Sequence, residues 1–139
     1  MAFTNYKYDV GLRNVGSYQV SGQPYIKSDA SLGSGSTDTI NFPFVTQQVV
    51  VMNSGSASRI KVHFGDDNFT GAAEEDWETK GNYIQLTSDG EAVTFNVKCK
   101  AIHITSDLAG SGYQVHAALT NIGVDNMYPL TGSGIDDGV

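Results

Sequence analysis

Three histidines and one dense run of carboxylates are the side chains here whose types could do chemistry. His63, His103 and His116 each fall on the polar side of a stretch that alternates like a β-strand. If those strands are neighbours, three imidazoles meet and can take a transition metal. If they are not, the histidines are solvated strand residues. No carboxylate partner is evident for them, and both readings stay open on sequence. The second group is Asp66, Asp67, Glu74, Glu75, Asp76 and Glu78, six of the fifteen acidic residues. Calcium needs six or more oxygens in a tight cage, and Asp66-Asp67-Asn68 lacks the alternating acidic spacing and closing glutamate of an EF-hand. Glycoside hydrolysis needs two carboxylates held at a fixed separation, whereas these six share one connector. A solvated, partner-facing loop is the plainer reading. Trp77 stands in the same loop, either tucked beneath it or used as a binding anchor.

Other motifs are weaker. Gly33-Ser34-Gly35-Ser36-Thr37 lacks the lysine of a phosphate loop and the third glycine of a dinucleotide fingerprint, and no helix follows to hold an anion. No GxSxG nucleophile elbow occurs. Asn68-Phe69-Thr70 matches a glycosylation sequon, which matters only on a secretory route. The single cysteine, Cys99, excludes an intramolecular disulfide and a cysteine-rich zinc site and reads as a small hydrophobe at a strand end. The residues therefore point away from an enzyme, with no cofactor and no resident metal expected.

The elements that must carry these residues are strands. In Glu91 to Ser106, Val93, Phe95 and Val97 alternate with Thr94, Asn96 and Lys98, and Ile102 and Ile104 alternate with His103 and Thr105. A period of two with β-branched and aromatic residues on one side marks a half-buried strand. The two runs meet at Cys99-Lys100, which is not a favoured turn pair, so a bulged corner and a hairpin are both possible. Further strands are expected over 23–27, 39–44, 45–53, 59–64, 83–87 and 113–119. Val45, Val49 and Val51 are expected on one face of the third of these, with Val50 and Met52 on the other. Apolar residues on both faces suggest a central or covered position. Glycine- and serine-rich loops punctuate the series at 31–38, 53–56, 88–90 and 106–112. The expectation is all-β: one β-sandwich, jelly-roll-like, of about eight strands over residues 23–122. An extended, ring-bearing N-terminal arm (1–22) precedes it and a flexible C-terminal tail (123–139) follows.

Composition narrows the partners. The 139 residues carry a net charge of −7, and the eight cations are scattered, with only Arg59/Lys61 and Lys98/Lys100 paired, each pair on a solvent face. Nucleic acid repels such a surface. The longest aliphatic run, Val49 to Met52, is too short to span a bilayer, and the first ten residues lack a signal-peptide core. The expectation is a soluble protein made in a cytoplasm, with no nucleic acid and no membrane among its partners.

Gly11 to Ile26 (GLRNVGSYQVSGQPYI), Ile40 to Thr46 (INFPFVT), Phe95 to Lys100 (FNVKCK) and Gly112 to Val115 (GYQV) together resemble small virion structural proteins of marine tailed phages, specifically cyanophage capsid decoration (cement) proteins. The likeness runs in order over residues 11–122. It implies a β-sandwich on the outer capsid surface of a virion, made in the host bacterial cytoplasm, which clamps neighbouring subunits of the major capsid protein and contacts copies of itself. Tyr6, Tyr8, Leu12, Arg13 and Tyr18 of the arm would be anchors, since tyrosine and arginine carry much interface energy, and Trp77 would be a further contact. Two alternatives remain: another virion component (head spike, fibre adaptor or tail protein), or a carbohydrate-binding module in which Trp77, Phe69 and Tyr83 stack on sugar.

Overall fold

The computed structural model describes residues 23–64, 78 and 81–127. Eight strands follow in order: β1 (Gln23–Leu32), β2 (Thr37–Asn41), β3 (Phe44–Asn53), β4 (Ile60–His63), β5 (Ile84–Leu86), β6 (Ala92–Phe95), β7 (Ala101–Ser106) and β8 (Ser111–Gly123). They form two antiparallel sheets, ordered β1-β8-β3-β6 and β2-β7-β4-β5. That order is the jelly roll, a double-sheet sandwich of two Greek keys. The chain changes sheet at nearly every connection, so the two sheets are built together.

The sandwich closes because the alternation in each strand gives it an apolar side. Val49, Val51, Val115, Ala117 and Leu119 of the first sheet meet Ile40, Ile60, Val62, Ile102 and Ile104 of the second, and every one of them is buried. Aromatic rings close the margins: Tyr25 meets Phe42 edge-on at 5.3 Å, and Phe64 meets Phe95 at the same distance.

Val45 departs from the sequence expectation. Register runs from Thr46 opposite Leu119 to Gln48 opposite Ala118, so β3 holds one extra residue at Gln47. A β-bulge of this kind reverses the alternation beyond it. Thr46 therefore turns into the interior, and Val45 leaves the main core to pack with Ile122 and Met127. The strands at both ends are also longer than expected. β1 continues through Ser28 to Leu32, which shortens the glycine loop, and β8 runs to Gly123, followed by a 3-10 turn at Val124–Asn126. Met127, placed on sequence in the tail, is buried against the body. The glycine loop serves the fold: Gly35, at φ 70°, donates its N–H to the Ser106 carbonyl, and Ser106 N–H returns to Ser36.

The Glu91–Ser106 stretch is a corner between sheets, because β6 pairs with β3 while β7 pairs with β2 and β4. One hydroxyl seals it. Thr46 Oγ1 donates to the Val97 carbonyl at 2.7 Å and accepts the Cys99 N–H at 3.0 Å. With its proton committed, it also accepts from Cys99 Sγ at 3.2 Å. Burial pushes the Cys99 thiol up to about 11, against the opposing pull of Thr46, so the sulfur stays protonated and donates. Thr46 N–H bonds the Cys99 carbonyl and Phe42 N–H bonds that of Lys100. The β2–β3 and β6–β7 crossings are thereby joined.

At another margin, Lys27 of β1 and the Tyr113 hydroxyl of β8 both bond Asp38 Oδ2 of β2, which ties the two sheets together. Burial opposes ionisation of Asp38, yet the hydrogen bonds from Tyr113 and Lys27 outweigh it and hold its carboxyl below the ordinary value. Burial and the adjacent Asp38 carboxylate both push the Tyr113 phenol up. At a third position, Gly112 lies so close to Ser54 that an added Cβ would sit 2.3 Å from the Ser54 carbonyl oxygen.

Two predictions follow from these contacts. Thr46→Val leaves the Val97 carbonyl and the Cys99 N–H buried without their partner, at about 1–3 kcal/mol each. Urea denaturation should show a loss of that size, largely restored in Thr46→Ser; an unchanged midpoint would refute the seal. Asp38, depressed in the fold, contributes stability above its unfolded pKa of about 3.9 that is lost as pH falls through its folded value. Tyr113, raised in the fold, contributes stability that is lost on the alkaline side, beginning above about pH 10. The stability gap between wild type and Asp38→Asn should accordingly be wide at pH 7 and narrow at pH 3. A constant gap would mean that the carboxylate is not the tie.

Candidate interaction surface

The outer faces of the two sheets carry opposite chemistry. On the β2-β7-β4-β5 sheet, β4 and β7 pair His63 directly opposite His103, and their rings stack 5.4 Å apart at 20°. His63 Nε2 lies 2.8 Å from Thr105 Oγ1, which is 2.6 Å from Thr37 Oγ1, and His103 Nδ1 lies 2.9 Å from Thr39 Oγ1. Both histidines are buried, contrary to the solvated alternative. The sequence shows their alternation but not the β4–β7 register that stacks them. His116 stands on the other sheet, so the three imidazoles do not meet. Among the described residues, no three His, Cys, Asp or Glu side chains gather as a metal set.

Lys61, expected on a solvent face, is buried as well. Its ammonium bonds Glu78 and reaches Asp107 Oδ1 at 3.2 Å, and it lies 4.9 Å from the centre of the Tyr83 ring. Burial favours the neutral amine, but the hydrogen bonds that the ammonium donates to Glu78 and Asp107 prevail and hold its pKa above the ordinary value. One carboxylate of the acidic stretch thus serves as a structural counter-ion. Tyr83, offered on sequence as a sugar platform, has the Lys61 ammonium over its ring.

The β1-β8-β3-β6 sheet shows a different face. Pairing lines up Ile26, His116, Val50 and Thr94 across four strands. On one side of that row stand Ser28, Gln114, Met52 and Ala92. On the other stand Pro24, Ala118 and Gln48, with Asn96 joined to Gln48 at 3.0 Å. These three rows contain no Asp, Glu, Lys or Arg. Outward positions of an antiparallel sheet are ordinarily polar, and loss of charge together with exposed apolar groups marks the core of an interface. Ile26 is 77% exposed and Met52 37%. Between them, over Gln114 and His116, lies an open depression of about 320 Å³.

Sequence reasoning found half of this face. Val50 and Met52, apolar on the outward side of β3, pointed to a central or covered strand, and β3 does lie between β8 and β6. Ile26 was the overlooked signal: it is out of phase with Tyr25, whose ring packs inward. The arm anchors Tyr6, Tyr8, Leu12, Arg13 and Tyr18, and also Trp77 and Phe69, lie outside the described residues.

Ile26 and Met52 contribute little to the fold if they serve contacts made elsewhere. Ile26→Gln and Met52→Gln should each shift folding free energy within about 0.5 kcal/mol, as surface changes do. Ile102→Ala in the core should cost about 2–5 kcal/mol. Calorimetry of the three variants checks this, and a large loss on changing Ile26 would make the face structural.

No family model and no curated protein matches the chain. Among solved structures, a cupin superfamily protein from Desulfitobacterium hafniense is similar at a TM-score of 0.37 and 12% identity, over 73% of this chain and 81% of that one. That likeness is loose, and the fold assignment rests on the strand order. No helix among the described residues is long and apolar enough to cross a membrane.

Proposed function

We propose that this protein is a non-catalytic structural component of a phage virion, a decoration protein that binds the outer surface of the head and stabilises it by clamping major capsid subunits. The single observation that supports a binding role is the uncharged outer face of the β1-β8-β3-β6 sheet. The most exposed large apolar side chain on that face is Ile26, at 77%. The resemblance of residues 11–122 to cyanophage decoration proteins supplies the identity of the partner.

In this reading the sandwich is a rigid body and residues 1–22 supply the clamp, through Tyr6, Tyr8, Leu12, Arg13 and Tyr18. A segment that orders on a partner can wrap a large surface at an entropic cost. Among the described residues, the apolar clusters that hold the sandwich lie within 23–127.

Co-sedimentation with expanded shells of the same phage's major capsid protein tests this. The full chain should pellet at a fixed ratio to the capsid subunit, and the chain lacking residues 1–22 should stay in the supernatant with an unchanged thermal midpoint. A full chain indifferent to shells would refute the decoration role, and equal binding without the arm would refute the clamp.

A further inference from the structure

We propose that the outer face of the β1-β8-β3-β6 sheet is a self-association surface, on which a second copy of this chain packs face to face about a two-fold axis. The inference does not rest on the virion role, since it concerns the protein alone in solution.

Charge is the first argument. Two copies at −7 each repel wherever carboxylates face one another. Among the described residues, Asp29, Asp38, Glu78, Asp89, Glu91, Asp107 and Asp125 all lie outside the three rows, which contain no carboxylate and no lysine or arginine. A basic partner would be recognised through the acidic surface; the neutral face suits a partner equally neutral, and a second copy offers one.

Shape is the second argument. A two-fold contact requires that one patch carry both a projection and the recess that receives it. Ile26 projects from β1, 77% exposed, and borders the depression of about 320 Å³ that continues to Met52. An axis lying in the contact plane, midway between the two, seats the Ile26 side chain of each copy in the recess of the other. His116, opposite both Ile26 and Val50, forms the floor. Pairing by strand edges is the less favoured route: β1 carries Pro24 and an irregularity between Asp29 and Leu32, and β6 has four residues. Proline, bulges and short length all discourage edge pairing.

Area sets the strength. Four strands about 4.8 Å apart, with like-facing residues about 7 Å apart along each, make a face of roughly 400 Å². A standard interface buries about 800 Å² on each partner. The contact is therefore weak and reversible, and copies held close together on a common scaffold would populate it far more than free ones.

Sedimentation velocity on the full chain, from about 10 μM to about 1 mM, is the test, with the range set around the weak end of specific interfaces. The weight-average mass should climb from 14.8 kDa toward twice that value. Ile26→Asp and Met52→Glu, both at exposed positions, should keep their thermal midpoints and weaken association at least tenfold. A wild type that stays at monomer mass throughout would overturn the proposal, as would a variant that associates like wild type. Saturation at three copies would overturn the two-fold arrangement. If Ile26→Asp abolished binding to shells while the wild type stayed monomeric, the face would belong to the capsid and the self-association inference would fall, leaving the decoration role intact.

Discussion

The fold depends on one hydroxyl more than on any single apolar contact. A jelly roll carries its chain back and forth between two sheets, and each crossing takes backbone out of ladder pairing. Those N–H and C=O groups must still find partners, because burying them unpaired costs as much as the hydrophobic gain of a side chain. Thr46 answers for two crossings together. The bulge at Gln47 turns it inward, where it holds the Val97 carbonyl and the Cys99 amide. Without the bulge Thr46 would face outward and the β6–β7 corner would have no side-chain partner there. The irregularity in β3 is thus what allows β6 to leave one sheet and β7 to enter the other.

The same bulge shapes the surface. By reversing the alternation it sends Val45 out of the main core, and Ile122 and Met127 cover it. Near Val45 the first sheet is therefore covered by Ile122 and Met127, while Ile26 and Met52 stay exposed. The second sheet has the opposite character. Its outer side holds a connected polar layer of His63, His103, Thr105, Thr37 and Thr39, with Lys61 held between Glu78 and Asp107. Buried polar groups of this kind are tolerated only when partnered. One face is consequently committed to internal hydrogen bonding, and the other has its apolar groups uncommitted.

Much of this was legible in the sequence, and the limits have physical causes. Ile40, Val62, Ile102, Ile104 and Val115 were identifiable as inward because the period-two signal is local and needs no knowledge of neighbours. The strand count and the sandwich followed from that signal. Val45 was misassigned because one inserted residue reverses a strand's facing while leaving its composition unaltered. The stacking of His63 on His103 was illegible because it depends on the register of strands forty residues apart. The corner at Cys99-Lys100 could not be told from a hairpin because its partner, Thr46, is 53 residues away. Ile26 needed the sheet order before its exposure meant anything, since β1, β8 and β3 become neighbours only in the folded chain.

Uneven placement of charge lets an acidic protein carry an uncharged face. A net −7 keeps copies apart at long range, which favours solubility. Attraction at the neutral face acts only at contact. At physiological ionic strength the repulsion decays over about 8 Å, against about 30 Å at 0.01 M. Ordinary salt therefore shortens the barrier to roughly the thickness of one side-chain layer while leaving the apolar contact untouched. Because the described carboxylates stand off the three rows, the residual repulsion between them falls mainly on orientations that bring other surfaces together. The charge distribution thus selects among encounters, and apolar area, limited to one small patch, keeps the selected contact reversible.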